Sequence, residues 1–502
     1  MTVGATLIDR LAAHPSNREL TRRARALARG FATAGLLAGD RVLFAVRPGE
    51  TQLALAVAII EAGGVLVPPS LGGGQALFDR QLTLVAPRWA VVDALLLAAS
   101  RSRSLRWIAR RLGAELPSLD SLGPLQVVRV GPPWPGAAAT LTLSDLEQLG
   151  ARATAPSPRA DVSPDDPAII VFTSGTTAAP KAVIHSRKSL HAILDIIGER
   201  VDLRAGDTLY SGDLQLVLPA RFAGARVVTP PTGRFSPARY VRALAKHRAT
   251  HAFLVTADCV ALHTYLAPRR ARLPASLRHL LIGAAPVRVP FLQRLQTILG
   301  EHTTAWCIYG MTEILPIATV TLADKLAHRG EGDFVGTPVR GIKLRLADDG
   351  ELLVRGPNLF SGYVGRPPVS EFATGDLARL DSAGLTLLGR KKDMIIRGRY
   401  NIYPELHEPV IERIVGVRRC AMVGVFDDVR ADERVVLFVE PETGVESTAL
   451  ARRVEEALRS GATRLDAWAL PDRVIVRPLV EGGRSSKVDK VALRAIAQEH
   501  LR

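Results

Sequence analysis

The sequence has few cysteines, and they lie far apart. Among its 502 residues the three cysteines are Cys259, Cys307 and Cys420, and none of them has a CxxC partner. A disulfide-stapled scaffold and a thiolate zinc site both need closely spaced cysteines in larger numbers. Both classes are therefore excluded.

The sequence also lacks a long uninterrupted apolar run. Its longest apolar stretch, Leu53–Val67, is broken by Glu61 and two glycines, and it is shorter than the ~20 residues that a spanning helix needs. Residues 1–14 include Asp9 and Arg10, where a signal peptide would have an apolar core. We therefore expect a cytoplasmic protein.

Acidic residues are fewer than basic ones, 49 against 65, which gives a formal net charge of +16. One interpretation is an anionic partner such as nucleic acid or a lipid surface, and the other is a solvated arginine-rich surface that reflects codon bias. Because no nucleic-acid-binding motif accompanies the charge, we predict no nucleic-acid partner. The densest cluster suggests peripheral membrane contact; it surrounds Trp107 and consists of Arg101, Arg103, Arg106, Arg110 and Arg111.

Short apolar runs alternate with amphipathic stretches, which predicts an α/β protein. Ala168–Phe172 has the composition of a buried strand, and Ser186 is placed to cap a helix that presents an apolar stripe. After residue 390 the pattern changes to short strands around one amphipathic helix. We predict an N-terminal domain over residues 1–390 and a smaller C-terminal domain over residues 391–502.

The most informative stretch is the segment VFTSGTTAAPKAVIHS at residues 171–186. A strand leads into hydroxyl side chains, one glycine and a lysine, a combination that suits a polyphosphate because backbone N–H groups, hydroxyls and an ammonium all donate to anions. The candidate phosphate-binding residues are Thr173, Ser174, Gly175, Thr176, Thr177 and Lys181. Pro180 and Ala182 exclude a Walker A loop, which needs glycine and a hydroxyl there.

This loop resembles the signature [YF]TSG[ST]TGxPKG of the adenylate-forming enzymes, the AMP-binding superfamily of acyl- and aryl-CoA synthetases, firefly luciferase and peptide adenylation domains. Ala178 and Ala182 stand where glycine is usual. Further motifs of that family follow in its order: GAAP at 283–286, YGMTE at 309–313, GELLVRGPNLFSGY at 350–363, TGD at 374–376, GRKKDMIIRGRYNIYP at 389–404 and SSKVDK at 485–490.

The resemblance implies the family's fold, a large N-terminal domain of stacked α/β subdomains with a small mobile α+β C-terminal domain. It also implies roles for single residues. Glu313 would hold Mg²⁺, Thr312 would donate to the α-phosphate of ATP, and Lys487 would be the catalytic lysine. The nucleoside would be bound by Gly283, Ala284, Ala285, Tyr309, Asp376 and Arg390.

The resemblance further implies a second half-reaction, in which the C-terminal domain rotates about Lys392. This rotation withdraws Lys487 and brings the 397–403 loop to the site. Ser486 and Arg399 replace glycines that are common in the family, and Leu406 replaces its usual glutamate. The departures at Arg399 and Leu406 concern the acyl acceptor more than the adenylation step, whereas Ser486 lies in the loop that carries Lys487.

The implied function is that of an acid–CoA ligase, which activates a fatty or aryl acid as acyl-AMP and then forms a thioester with CoA. Two alternatives stay open: adenylation for another fate, either carrier-protein loading or β-lactone formation, and a non-catalytic protein of this fold. The residues that bind the acyl group are harder to predict from the sequence. The segment 210–222 lacks the family's histidine, and its apolar residues suit an acid or simple core packing; they are Leu214, Leu216, Val217 and Leu218.

Overall fold

A computed structural model describes most of the chain. The described residues are 5–69, 74–111, 117–119, 125–153, 162–173, 180–233, 235–283, 287, 289–330, 332–391, 394–402, 404–482 and 487–501.

The first sheet of the described chain has eight strands. They are β1 Arg41–Ala45, β2 Val65–Val67, β3 Trp89–Asp93, β4 Gln126–Val130, β5 Leu141–Thr142, β6 Pro167–Thr173, β7 Lys181–Ser186 and β17 Gly362–Tyr363. Their spatial order is β17-β7-β6-β2-β1-β3-β4-β5. The pairs from β6 to β5 are parallel, whereas β7 is antiparallel to both β6 and β17.

The second sheet has eleven strands in the described residues. They are β8 Thr208–Tyr210, β9 Arg226–Val228, β10 His251–Val255, β11 His279–Gly283, β12 Thr304–Met311, β13 Ile314–Thr321, β14 Asp333–Pro338, β15 Lys343–Leu346, β16 Glu351–Arg355, β18 Phe372–Asp381 and β19 Gly384–Arg390. Strands β8 to β12 are parallel, and an antiparallel part begins with the β12–β13 hairpin.

Helices flank and separate these two sheets. Before residue 391 they are α1 Leu7–Ala12, α2 Arg18–Thr33, α3 Glu50–Glu61, α4 Gly74–Val85, α5 Ala94–Arg101, α6 Arg103–Arg111, α7 Leu143–Arg152, α8 Arg187–Val201, α9 Leu214–Phe222, α10 Pro237–His247, α11 Thr256–Leu266, α12 Val289–Gln296 and α13 Leu322–Ala327. One large core joins α3, α8 and α9 to both sheets. On the α3 side this core is formed by residues 53–60, which are all apolar and all buried.

The predicted cap of α8 is present. Ser186 is extended, and its side chain accepts a hydrogen bond from the Ser189 backbone N–H, which satisfies one of the free N–H groups of the first turn. The apolar stripe that follows packs into the core through Ile193, Leu194 and Ile197. The sequence analysis did not assign β7, which lies between the phosphate-loop segment and this helix.

The part after residue 391 has its own small sheets and core. Its elements are β20 Ile395–Arg397, β21 Tyr400–Ile402, α14 Pro404–Ile411, β22 Val417–Asp427, β23 Asp432–Pro441, α15 Ser447–Arg459, β24 Arg473–Val476, β25 Glu481–Gly482, β26 Lys487–Val488 and α16 Lys490–Leu501. Helix α15 buries Leu450, Val454 and Leu458, as its apolar spacing predicts. The predicted fold class, a large α/β N-terminal part with a small α+β C-terminal part, is confirmed.

Candidate active site

One cavity of about 1820 Å³ lies between the two large sheets and the C-terminal part. It brings together residues that are far apart in the sequence. The predicted site residues that line it are Thr173, Lys181, Gly283, Tyr309, Thr312, Glu313 and Asp376.

The β6–β7 hairpin supplies the cationic end of this cavity. Thr173 and Lys181 are Cα partners at the open end of the hairpin, so the connection between them begins and ends at the cavity wall. The Lys181 Nζ atom lies 5.1 Å from the centre of the Tyr363 ring, within cation–π range. The predicted phosphate residues Ser174, Gly175, Thr176 and Thr177 lie outside the described residues.

Ala182 fits the strand in which it lies. It is 1% exposed and pairs with Phe172 in the β6–β7 hairpin. Its φ is not in the left-handed region, so alanine costs no backbone strain at this position. Ala178 lies outside the described residues.

The YGMTE motif forms the end of the β12–β13 hairpin. The strand pairing shifts register between Tyr309 and Met311, so an irregular turn presents Thr312 and Glu313 to the cavity. Glu313 is 9% exposed, and its Oε1 atom accepts a 2.8 Å hydrogen bond from the Tyr363 hydroxyl. The Glu313 carbonyl accepts a 2.8 Å bond from the Phe360 N–H. The Tyr363 hydroxyl therefore orients the carboxylate, and the Phe360 N–H holds the backbone of the same residue.

Tyr309 and Asp376 contact each other directly. The Tyr309 hydroxyl donates to Asp376 Oδ2 at 2.7 Å, and the carboxylate is only 3% exposed. The Asp376 backbone N–H donates to the Thr374 hydroxyl at 3.1 Å. A hydrogen bond to an ionised acceptor is among the stronger ones in proteins, so this contact fixes both an aromatic ring and a carboxylate in the cavity wall.

His185 is a site residue that the sequence analysis missed. It is 3% exposed, lines the cavity, and its Nε2 lies 2.7 Å from the Thr312 carbonyl oxygen. Because a carbonyl only accepts, Nε2–H is the donor, and burial lowers the pKa of the imidazole. The signal in the sequence was weak: His185 is one residue of a strand that was not assigned.

Five predicted residues are placed only by their backbone or not at all. Arg390 ends β19 as the Cα partner of Asp376, and Lys487 begins β26 opposite Gly482. Gly283 ends β11 at the cavity. Ala284 and Ala285 lie outside the described residues.

The donor set of the cavity suits Mg²⁺ bound together with a polyphosphate. In the described part of the chain, no group of three or more His, Cys, Asp or Glu side chains could hold a metal ion. Mg²⁺ commonly binds through one or two carboxylates, substrate phosphates and waters. The Glu313 carboxylate, near the cationic Lys181 end, fits that requirement.

The other end of the cavity is apolar. Helix α8 lines it with Leu190, Ile193, Leu194 and Ile197, and Phe253 and Trp306 stand on the second sheet. Of the predicted apolar candidates, Leu214, Leu216 and Leu218 line the cavity, whereas Val217 is buried in the core cluster and does not line it. Core packing is therefore the role of Val217.

The β20–β21 hairpin of the C-terminal part also reaches the cavity. Gly398 has φ +58°, and its N–H donates to Asp432 Oδ1 at 2.7 Å. Arg399 lines the cavity and lies 3.6 Å from the Asp258 carboxylate of α11. Burial raises the pKa of Asp258, and the Arg399 charge opposes that shift.

Comparisons with known proteins agree with this arrangement. The sequence profile described as AMP-binding enzyme matches residues 7–364. A 3-[(3aS,4S,7aS)-7a-methyl-1,5-dioxo-octahydro-1H-inden-4-yl]propanoyl:CoA ligase of Mycobacterium tuberculosis is 31% identical over 70% of this chain and 69% of its own length. An olefin beta-lactone synthetase of Xanthomonas campestris is 29% identical over 88% of this chain and 83% of its own.

A solved structure has the same fold over nearly the full length. The amide bond synthetase McbA of Marinactinospora thermotolerans superposes with a TM-score of 0.75 at 24% identity, over 98% of this chain and 99% of that one. Among the described residues, none of the helices combines the length and the apolar character needed to cross a bilayer.

Proposed function

The chain belongs to the AMP-binding enzyme family, and we propose that it activates a carboxylic acid with ATP as acyl-AMP and then transfers the acyl group to the thiol of CoA. The observation that carries this proposal is the single cavity that joins Lys181, the Thr312–Glu313 turn and the Tyr309–Asp376 pair to an apolar end. Such a cavity has separate places for a nucleotide and for an acid.

In the first half-reaction, a carboxylate oxygen of the acid attacks the α-phosphorus of ATP, and the bond to pyrophosphate breaks. Two anions must approach each other, so the site has to offset their charge. Lys181 would bind the β- and γ-phosphates, together with Thr173, Ser174, Gly175, Thr176 and Thr177. Mg²⁺ held by Glu313 would neutralise charge on the phosphates, and Thr312 would donate to the α-phosphate.

The nucleoside would lie against the Tyr309–Asp376 pair. The ring of Tyr309 offers a face for adenine, and the buried Asp376 carboxylate accepts from ribose hydroxyls. Arg390 would contact the same sugar, because its backbone is paired with that of Asp376. Gly283, Ala284 and Ala285 would complete the adenine pocket after β11.

We propose that residues 391–502 form the mobile domain and that Lys487 bridges the acid carboxylate and the α-phosphate during adenylation. In the second half-reaction the β20–β21 hairpin would stand at the site instead. Its contribution to the cavity wall through Arg399 supports that role.

The acid is proposed to be apolar, either fatty or aryl. The wall formed by α8, Phe253 and Trp306 offers apolar contacts, and apolar burial is worth about 25 cal/mol per Å². A small polar acid would leave this surface without contacts.

A second candidate function is acyl transfer to another acceptor, such as a carrier protein or a hydroxyl of the acid itself. The observation that favours it is Arg399. A glycine has no side chain at this position of the hairpin, whereas Arg399 extends into the cavity wall toward Asp258. The Arg399 side chain therefore narrows the passage through which a pantetheine thiol would reach the site on that side.

The test is ATP–pyrophosphate exchange over a panel of fatty, aryl and β-hydroxy acids, followed by product analysis with and without CoA. Exchange that depends on an apolar acid, with acyl-CoA formed in the presence of CoA, supports the proposal. Turnover without CoA assigns the second candidate, and exchange with none of the acids refutes adenylation. Lys181→Ala in strand β7 should lose exchange, while Lys188→Ala, at an exposed position in the first turn of α8, should keep it.

A further inference from the structure

A basic and aromatic surface lies on α5, α6 and the loop after β4. Its apolar members are Leu95, Leu105, Trp107 and Trp134, which are 44%, 39%, 55% and 48% exposed. Trp107 and Trp134 are the two exposed tryptophans among the five in the chain. Large exposed side chains that cluster in this way mark an interaction surface. We call it the α5–α6 surface.

The loop that carries Trp134 is tied to the helices beside it. Arg101 donates to the Ala138 carbonyl at 2.6 Å, and the Ala137 N–H donates to the Trp134 carbonyl at 2.9 Å. Ala137 is buried against Leu97 of α5. The two tryptophans therefore belong to one continuous part of the fold.

The charge of this surface has a single sign. The stretch 94–111 contains Arg101, Arg103, Arg106 and two further arginines, and it contains no aspartate or glutamate. The stretch 125–144, which includes the Trp134 loop, also lacks acidic residues. Arg103 is exposed at the start of α6. The excess of positive charge on this surface favours an anionic partner.

We infer that the α5–α6 surface binds an anionic lipid bilayer, with Trp107 and Trp134 in the headgroup region and the arginines on lipid phosphates. Tryptophan prefers the membrane–water interface because its ring is apolar and its N–H is polar. Arginines beside it add electrostatic attraction to anionic lipids. A free polyanion would use the arginines but would leave the apolar side chains in water.

The surface is separate from the cavity. Along the first sheet, β4 lies four strands from β6, which is about 19 Å at the usual strand spacing, and no residue of the α5–α6 surface lines the cavity. Lipid binding and turnover of a water-soluble acid can therefore be changed independently. This inference does not depend on the proposed function.

The experiment is co-sedimentation of the full chain with phosphatidylcholine vesicles, with and without phosphatidylglycerol, at low and high salt. Vesicles with brominated acyl chains add a second readout, because they quench tryptophans that enter the bilayer. The test variants are Trp107→Ser with Trp134→Ser, and Arg103→Gln with Arg106→Gln. The matched controls are Arg25→Gln on α2 and Val491→Ser on α16, which change exposed residues elsewhere.

We expect binding only to vesicles that contain phosphatidylglycerol, and less binding at high salt. The partition coefficient should fall roughly fivefold for each arginine removed. The double tryptophan variant should lose bromine quenching, and the controls should match the unchanged chain. All variants should keep their turnover of a short soluble acid.

Four results would overturn the inference. The first is no binding to anionic vesicles, and the second is binding that the test variants do not alter. The third is arginine-dependent binding without quenching, which would assign the surface to a soluble polyanion. The fourth is that the unchanged chain forms a dimer and the tryptophan variant does not, which would assign the α5–α6 surface to a second copy of the chain.

Discussion

Replacing His185 with alanine is expected to impair the use of ATP while leaving the protein folded. The imidazole lies behind the β12–β13 turn, and its Nε2–H donates to the Thr312 carbonyl at 2.7 Å. Its Nδ1 lies 3.3 Å from the Ser189 hydroxyl. Because burial lowers the pKa of the imidazole, the ring is neutral at pH 7 and acts as a spacer between α8 and the turn.

The size of the effect follows from the bond that is lost. A carbonyl deprived of its donor costs about 1–3 kcal/mol when it is fully buried, and this range is the upper limit for the half-buried Thr312 carbonyl. The adjacent Glu313 would then be held less firmly where charge develops in the transition state. If that cost appears in the adenylation step, kcat/KM for ATP falls by roughly 5- to 150-fold, since about 1.4 kcal/mol is a factor of ten.

The assay is ATP–pyrophosphate exchange with a saturating acid, together with a thermal melt. His185→Gln should recover most of the activity, because the glutamine amide places an N–H donor near the position of Nε2. His191→Ala removes another buried imidazole of the same region, and burial lowers its pKa to about 4. This control should change the melting temperature but not kcat/KM.

The reasoning is refuted if His185→Ala keeps the full kcat/KM for ATP. It is also refuted if alanine and glutamine at this position lower kcat/KM equally, since the donated hydrogen bond would then be irrelevant to the turn.

Three further predictions concern Lys487, Arg399 and the pH dependence of stability. Lys487→Ala should suppress adenylation but spare thioester formation from supplied acyl-AMP. Equal loss of both half-reactions would contradict the proposal that Lys487 acts only in the adenylation step. Arg399→Gly should change stability by less than ~1 kcal/mol, because its ion pair is exposed, and should raise kcat/KM for CoA; an unchanged value would show that the side chain does not narrow the passage. Burial lowers the pKa of His191, His251 and His407 to about 4, below the ~6.5 of the unfolded chain. The free energy of unfolding is therefore at its full value above about pH 6.5 and falls as the pH drops toward 4, by roughly 2 kcal/mol per histidine at pH 5. Denaturant midpoints at pH 7 and pH 5 measure this loss of stability.

Much of the fold could be predicted from local patterns. The predicted buried strand Ala168–Phe172 lies within β6, Pro167–Thr173. Ser186 caps α8 as its side-chain chemistry predicts. These features depend on neighbours in the chain, and the sequence contains that information directly.

The motifs likewise selected Lys181, Tyr309, Glu313 and Asp376 among the residues that line the cavity, because each motif combines a turn with donors or carboxylates that have few uses elsewhere. The sequence could not show which of them contact each other. The Tyr309–Asp376 bond joins residues 67 positions apart, and the Tyr363–Glu313 bond joins residues 50 positions apart. The first bond depends on the order of the strands within the second sheet, and the second bond depends on how the two sheets are stacked.

By itself, the sequence determined the fold class, the family's motifs and the excess of positive charge over the whole chain. Only the tertiary structure decided that His185 supports the Thr312 turn, that Val217 belongs to the core, and that Trp107 and Trp134 share one arginine-rich surface. The reason is physical: hydropathy pattern, helix capping and motif spacing are local properties of the chain, whereas burial, long-range hydrogen bonds and surface neighbours are set by the packing of distant elements.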